Sequence, residues 1–262
     1  MIEFRNVTKS FDDETVLKDV CFEVHQGETL IILGASGSGK STILKLILGL
    51  IKPDTGIIIV NGNNITDMKE RELVKIRRNI GMVFQEGALF DSISVRDNVG
   101  YRLDEERSME ETAIDAEVQK HLGFVGLDEA VDKMPVELSG GMKRRVGIAR
   151  ALVGSPDIIL YDEPTAGLDP ITKRTIVELM IKLRDMENVT SIFVTHDLLA
   201  ASIIASEYAL AENGNIRYIT GVESPHLASI KFIMLLDGEI CFSGRYKELK
   251  NSEVPYVKSF VQ

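Results

Sequence analysis

The 262-residue sequence predicts an α/β fold with a mostly parallel sheet, an antiparallel β edge and an inserted helical subdomain. Short apolar runs alternate with longer amphipathic runs along most of the chain, as is typical of strands that alternate with helices. From roughly residue 95 to residue 138 the strand-like runs disappear and the pattern becomes helical. The hydrophobic share of 44% is enough to bury the core of one or two compact units.

The first 32 residues predict short strands, with turns at Asp12-Asp13 and Gln26-Gly27. Residues 56–60, followed by Asn61-Gly62, predict a hairpin-like edge. Within the helical region, the charged run 104–107 predicts a loop. The alternating strands and helices of the core are predicted at residues 29–33, 42–50, 81–84, 158–161, 172–185 and 190–194.

A glycine-rich loop at residues 34–41 follows a predicted strand and precedes a predicted helix. Its glycines let the backbone curl so that N–H groups and the helix N-terminus face phosphate oxygens, while Lys40 adds positive charge and Ser41 offers a hydroxyl to Mg²⁺. An ordinary strand-to-helix turn is the alternative, which the complete pattern disfavours. The loop predicts a P-loop NTPase core that binds a nucleoside triphosphate. The residues expected to contact the nucleotide here are Gly34, Ser36, Gly37, Ser38, Gly39, Lys40, Ser41 and Thr42.

Two adjacent carboxylates, Asp162 and Glu163, end the predicted strand at residues 158–161. Neighbouring side chains of a strand point to opposite sides, so the two acids have different roles. We expect Asp162 to hold Mg²⁺ through its water shell and Glu163 to act as general base on the attacking water. A polar strand end that enters a turn is the alternative.

A second anion site is predicted where Ser139, Gly140 and Gly141 begin a strongly helical segment, because a helix N-terminus with bare backbone attracts phosphate. One chain with two such sites suggests that two chains share two nucleotides. Asp169, followed by Pro170 and an amphipathic run, is predicted to be a helix N-cap.

Composition narrows the class of protein. No segment approaches the ~20 apolar residues of a membrane span, and the N-terminus lacks a signal-peptide pattern, so we expect a soluble chain that is not secreted. Cys21 and Cys241 are too few for a disulfide framework or a metal site, which favours a reducing cytosol. The net charge of −10 argues against a nucleic-acid partner.

The order of these motifs resembles the ATP-binding subunit of ABC transporters, from about Met1 to Asp197. The motifs are the phosphate-binding loop, Gln85 after an apolar run, the signature 138–141, the acid pair, the run 166–169 and a lone His196. The resemblance implies ATP hydrolysis with Mg²⁺ by a homodimer of ATPase subunits bound to integral-membrane permease subunits. It also implies a location on the cytoplasmic face of the inner membrane.

The resemblance assigns further roles. Gln85 would contact Mg²⁺ and the attacking water, His196 the γ-phosphate, and Asp169 the partner's nucleotide across the dimer interface. Phe11 would stack on adenine, with a core aromatic as the alternative. A soluble ABC ATPase of DNA repair or translation, and a module that binds ATP without cleaving it, are the alternative functions. No basic face supports the former, and Glu163 and His196 count against the latter.

Finer features resemble the ATPase subunits of Mla- and Mce-type phospholipid transport systems. They are the runs 84–90, 134–138 and 169–172, and Met142 where Gln is usual. This resemblance implies lipid transport and a lipid-binding Mce-type partner. An ABC ATPase for another substrate is the alternative, and the direction of transport is left open.

The expected domains are an ATPase core at 1–94 and 139–244, a helical subdomain at 95–138 and a C-terminal tail at 245–262. Residues 205–244 read as an imperfect internal duplication, with a chance repeat of glycine-bearing turns as the alternative. In the tail, Tyr256 and Phe260 share one face if it is helical, and the resemblance implies that this face reaches the other protomer.

Overall fold

A computed structural model describes residues 2–107, 109–212, 215–221 and 224–261. Its strands are β1 Ile2–Phe11, β2 Glu14–Val24, β3 Thr29–Leu33, β4 Thr55–Val60, β5 Asn63–Asn64, β6 Ile80–Val83, β7 Ile158–Asp162, β8 Thr190–Thr195, β9 Glu207–Glu212, β10 Asn215–Thr220, β11 Ile230–Leu236 and β12 Glu239–Gly244. Its α-helices are α1 Lys40–Ile47, α2 Glu70–Arg77, α3 Val95–Glu106, α4 Glu111–Phe124, α5 Gly140–Leu152, α6 Pro170–Glu187, α7 Leu198–Ser206, α8 Pro225–Ala228, α9 Tyr246–Lys250 and α10 Pro255–Val261.

The largest sheet has six strands in the order β12-β11-β3-β8-β7-β6 and is parallel except for the edge strand β12. Helices cover both of its faces, so the central strands β3 and β8 are buried along their whole length. In β3, Ile31 and Leu33 belong to one hydrophobic core, whereas Leu30 and Ile32 belong to the other. The predicted parallel sheet is confirmed.

A second sheet has four antiparallel strands in the order β2-β1-β4-β5. The predicted antiparallel edge and the hairpin turn at Asn61-Gly62 are therefore confirmed. The prediction that the first strands are short is wrong, because β1 has 10 residues and β2 has 11. The pairing of β1 with β2 contains register shifts, which interrupt the alternation of buried and exposed side chains. The sequence pattern therefore does not show how long the two strands are.

The region between β6 and the signature is helical, as predicted, and contains α3, α4 and two short 3₁₀ turns. The loop predicted at residues 104–107 is wrong: α3 continues through Glu106 and ends at Arg107 in the left-handed conformation. Arg96 forms ion pairs with Asp104 and Asp115, at 2.8 and 2.7 Å. The pair with Asp104 places a cation beside the acidic run, which favours its continuation as helix.

Two β-hairpins follow α7. The first, β9–β10, forms a separate two-stranded sheet, while the second, β11–β12, joins the main sheet beside β3. Both halves of the repeat are thus hairpins in different sheets, and its turn at Asn213-Gly214 lies outside the described residues. Whether the repeat is a true duplication stays a prediction.

A buried ion pair attaches the first hairpin to helix α6. The Arg184 and Asp185 side chains are 2% and 0% exposed and lie 2.6 Å apart. Arg184 also donates to the carbonyls of Ile204 and Glu207, and Asp185 accepts from the N–H of Ala209. Because every buried polar group here has a partner, the charges are compatible with burial.

The C-terminal helix α10 packs on its own chain. Val257 is fully buried in the larger core, and Tyr256 and Phe260 pack against that core. The N–H of Ala35 in the glycine-rich loop donates to the Tyr256 hydroxyl at 3.3 Å. Among the residues that the structure describes, no helix is both long and apolar enough to cross a bilayer.

Candidate nucleotide-binding site

Three parallel strands end at the same edge of the main sheet. The register pairs Leu33 of β3 with Thr195 of β8, and Asp162 of β7 with Val194 of β8. The glycine-rich loop, the acid pair and the loop that carries His196 follow these three strand ends. Parallel alignment therefore brings motifs from distant parts of the chain to one place.

The glycine-rich loop has a backbone that side chains would block. Gly37 and Gly39 have φ values of 82° and 95°, a region that disfavours other residues. A Cβ on Gly39 would lie 2.9 Å from the Val16 carbonyl, and one on Gly34 would lie 2.5 Å from the Ser38 hydroxyl. The loop leads directly into α1, which begins at Lys40. Close approach thus requires glycine at positions 34 and 39, whereas Gly37 is favoured by its conformation alone.

A cavity of about 240 Å³ lies over this loop. Among the predicted contacts from the loop, Gly34 and Ser38 are absent from its lining. Beyond the loop, Asp162 and His196 are absent from the lining as well. Val16 of β2 is a lining residue that the sequence analysis missed, and no local pattern marks it. The lining residues are Val16, Ser36, Gly37, Gly39, Lys40, Ser41, Thr42, Gln85 and Glu163.

Lys40 is buried, with 5% of its side chain exposed. Its ammonium donates to the carbonyls of Gly34 and Ala35, both at 2.9 Å, and lies 3.7 Å from a Glu163 oxygen. Burial lowers the pKa of Lys40, and the Glu163 carboxylate partly opposes that shift. A positive charge is thus held at the floor of the cavity.

Ser41 and Asp162 are in direct contact, since the serine hydroxyl donates to a carboxylate oxygen at 2.8 Å. Burial raises the pKa of Asp162, and the hydrogen bond from Ser41 opposes the shift. A hydroxyl beside a carboxylate, next to a phosphate-binding loop, is a donor set that fits Mg²⁺. Magnesium commonly takes its other ligands from water and from the phosphates.

Glu163 has a left-handed backbone, with φ of 46°. This conformation costs a non-glycine residue about 1 kcal/mol or more and tends to occur at functional sites. Its carboxylate accepts from the Thr195 hydroxyl at 3.1 Å and from the backbone N–H of His196 at 3.3 Å. The Nδ1 atom of His196 lies 2.9 Å from the other carboxylate oxygen. Two of the residues predicted to be catalytic, Glu163 and His196, are therefore in contact.

Gln85 is exposed and lies two residues beyond the end of β6, where its side chain lines the same cavity. It follows an edge strand of the parallel part of the sheet, beside β7. Gln85 is therefore close to the residues predicted to hold Mg²⁺.

The second predicted anion site lies elsewhere. Ser139 is the N-cap of α5, where its hydroxyl accepts from the N–H of Met142 at 3.3 Å. Neither Ser139 nor the two glycines after it line the cavity over the loop. A Cβ on Gly141 would lie 2.4 Å from the Thr172 methyl group, so α5 approaches α6 closely there. Within one chain the two predicted phosphate sites are separate.

Two further predicted contacts also lie outside the cavity. Asp169 is the N-cap of α6, as predicted, and accepts from the N–H groups of Ile171 and Thr172. The hydrogen bonds from Thr172 lower the pKa of Asp169. Phe11 ends β1 with its ring exposed, and the Lys9 ammonium lies 5.3 Å from the ring centre. The ring is free of the core, which leaves its stacking role a prediction.

Known proteins that are similar to this chain point to one family. The family model described as "ABC transporter" matches residues 17–166. The Protein TRIGALACTOSYLDIACYLGLYCEROL 3, chloroplastic, of Arabidopsis thaliana is 38% identical over 99% of this chain and 73% of its own length. The intermembrane phospholipid transport system ATP-binding protein MlaF of Haemophilus influenzae is 38% identical over 94% of each chain. The methionine import ATP-binding protein MetN of Corynebacterium glutamicum is 42% identical over 82% of this chain and 61% of its own.

A solved structure shares the fold. It is a dimeric ATP-binding cassette in a post-hydrolysis state, bound to ADP and Pi, with a TM-score of 0.78 and 32% identity. The match covers 94% of this chain and 98% of the solved one. From the motifs, the geometry and these relatives, we conclude that the chain belongs to the ABC transporter family as one of its ATP-hydrolysing, ATP-binding subunits.

Proposed function

We propose that this ATPase powers phospholipid transport, with Glu163 as general base for ATP hydrolysis. Lys40 and the loop would bind the β- and γ-phosphates, and His196 would contact the γ-phosphate. Mg²⁺, held by Ser41, Asp162 and Gln85, would neutralise charge that develops on the phosphates. The contact between Glu163 and His196 supports these roles, because Glu163 itself lies 3.7 Å from the Lys40 ammonium.

The active unit is proposed to be a homodimer. Ser139, Gly140, Gly141 and Asp169 lie away from the loop cavity of their own chain, as residues that serve a partner's nucleotide must. The similar solved cassette is dimeric, which supports this arrangement. Adenine would stack on Phe11, since the exposed ring can accept a flat partner.

The proposed partners are integral-membrane permease subunits and a lipid-binding Mce-type protein, with the ATPase on the cytoplasmic face of the membrane. One observation supports a phospholipid as the substrate: the similarity to the phospholipid-system ATPase extends over 94% of both chains. The methionine importer has a higher identity, 42% against 38%, but the match covers only 61% of that protein. Coverage of the relative's full length therefore favours lipid, although identity does not.

Reconstitution tests the substrate. The tagged full chain is purified with the membrane subunits it captures and placed in phospholipid vesicles that contain a fluorescent phospholipid. We expect ATP-dependent movement of the fluorescent lipid, and none with the Glu163→Gln variant. Stimulation of the ATPase by methionine or sulfate, with no lipid movement, would contradict the lipid proposal and leave ATP hydrolysis intact.

A further inference from the structure

Asp197, the residue after His196, is the centre of a hydrogen-bond cluster. Its side chain is 12% exposed, and one of its oxygens accepts from the Lys173 ammonium at 2.6 Å. The same oxygen accepts from the Thr165 hydroxyl at 3.3 Å, and the other accepts from the N–H of Ala200 at 3.0 Å. Three separate segments therefore hold this one carboxylate.

The cluster continues to the proposed catalytic pair. The backbone N–H of Asp197 donates to the Thr195 hydroxyl at 2.9 Å, and that hydroxyl donates to Glu163 at 3.1 Å. His196 lies between Thr195 and Asp197, so fixing both neighbours fixes its backbone. The direction in which His196 points at Glu163 then depends on where Asp197 is held.

Lys173 comes from the first turn of helix α6, whose N-cap is Asp169. It does not line the cavity over the glycine-rich loop. An ammonium at 2.6 Å from a largely buried carboxylate is a strong, charge-assisted hydrogen bond. The ion pair thus connects the start of α6 to the loop that carries His196.

We propose that Lys173 is a positioning residue, which acts through Asp197 to hold His196 against Glu163 and to connect that contact to the start of helix α6. This rests on the roles proposed above for Glu163 and His196. A movement of α6 at Asp169 is then transmitted to His196. Loss of Lys173 slows hydrolysis without weakening ATP binding.

The test is steady-state ATP hydrolysis by Lys173→Met in the full chain. We expect kcat to fall roughly 10- to 100-fold, as misplacing a reacting group by about 1 Å does, with KM for ATP within about twofold of the parent. Lys173→Arg keeps the charge and should restore most of kcat. Adding Asp197→Asn to Lys173→Met should cause little further loss, because both act on the same contact.

Arg174→Met is the matched control. Arg174 is the next residue of the same helix, and its ion pair with Glu207 is 38% and 14% exposed, against 29% and 12% for Lys173 and Asp197. That pair faces the first hairpin, so we expect a lower melting temperature with kcat within twofold of the parent. An equal fall of kcat in both variants would overturn the proposal, since the effect would then be general destabilisation.

The outcomes distinguish a failure of the positioning role of Lys173 from a failure of the catalytic roles proposed for Glu163 and His196. If Glu163→Gln and His196→Ala lose activity while Lys173→Met keeps kcat within twofold, only the positioning role is wrong. If Glu163→Gln itself hydrolyses ATP at the parent rate, the proposed catalytic roles are wrong. Should Lys173→Met not fold, Thr165→Val removes a second partner of Asp197, and an unchanged kcat in that variant counts against the proposal.

Discussion

The Nδ1 atom of His196 lies 2.9 Å from the Glu163 carboxylate, although 33 residues separate them in the chain. An ionised carboxylate only accepts hydrogen bonds, so Nδ1 is the donor in this contact. This contact joins the side chains of Glu163 and His196 at the edge of the sheet where β7 and β8 end.

Glu163→Gln should reduce hydrolysis by roughly 10²–10⁴, because the amide cannot accept the proton of the attacking water. Contacts to the nucleotide remain, so we expect the variant to accumulate as an ATP-bound dimer. Size-exclusion chromatography with ATP and Mg²⁺ measures the dimer, and phosphate release measures the rate. Only monomer on the column, or activity within a few-fold of the parent, would count against the role.

Lys40→Ala should abolish tight ATP binding, since the loop loses its charge against the β- and γ-phosphates. Ser139→Ala should leave binding to an isolated chain nearly intact but suppress hydrolysis, because the serine would act on the partner's nucleotide. Titration of each monomeric variant with a fluorescent ATP analogue compares the two. An equal loss of affinity would show that the sites are not shared across a dimer.

The stability of Lys173→Met should depend on pH in a defined direction. Burial alone would raise the pKa of Asp197, but hydrogen bonds from Lys173 and the N–H of Ala200 hold it below its ordinary value of 3.8. In the parent, the ionised carboxylate therefore stabilises the fold above pH 3.8, and this contribution is lost as the pH falls through the lower, folded pKa.

Without Lys173, the strongest cause that lowers the pKa of Asp197 is lost, so we expect that pKa to be higher in the variant than in the parent. The ionised carboxylate then stabilises the fold less at neutral pH. Urea unfolding at pH 7 and at pH 4 should show a stability difference between parent and variant that shrinks at the lower pH. A difference that is constant or grows on acidification would contradict this assignment.

Arg184→Met should destabilise the chain by about 3–5 kcal/mol, because it leaves the buried Asp185 carboxylate without its cation. The double variant Arg184→Met, Asp185→Leu removes both charges and should recover part of that loss. Urea unfolding of the parent, the single variants Arg184→Met and Asp185→Leu, and the double variant gives the coupling energy. Additive losses in the double variant would show that the pair contributes little as a unit.

Deleting residues 255–262 should lower the melting temperature of the isolated chain. Val257 is fully buried in the core of its own chain, and the Tyr256 hydroxyl accepts from Ala35 in the nucleotide loop. Val257→Asp should have a similar effect, because it buries an unpaired charge. If the truncated chain melts at the parent temperature but assembles less stably, the tail acts on the other protomer, as the family resemblance implies.

Motifs whose function depends on residues close together in the chain were predictable from the sequence. The glycine-rich loop, the adjacent acids and the N-cap at Asp169 depend on neighbouring residues, so their types and spacing are visible in the sequence. Val16 and Lys173 were not predictable as parts of the site. Val16 lies in the interior of a strand in another sheet, and Lys173 has no local pattern beyond an amphipathic helix.

The sequence by itself determined the alternation of strands and helices in the core, the phosphate-binding loop and the identity of the acids, because these follow from hydrophobic period and backbone chemistry. Only the tertiary structure decided which side chains meet. The parallel register of β3, β8 and β7 brings Lys40, Glu163 and Thr195 together, and the packing of α6 brings Lys173 to Asp197. Such contacts join residues that are distant in the chain, and their geometry depends on the sheet as a whole.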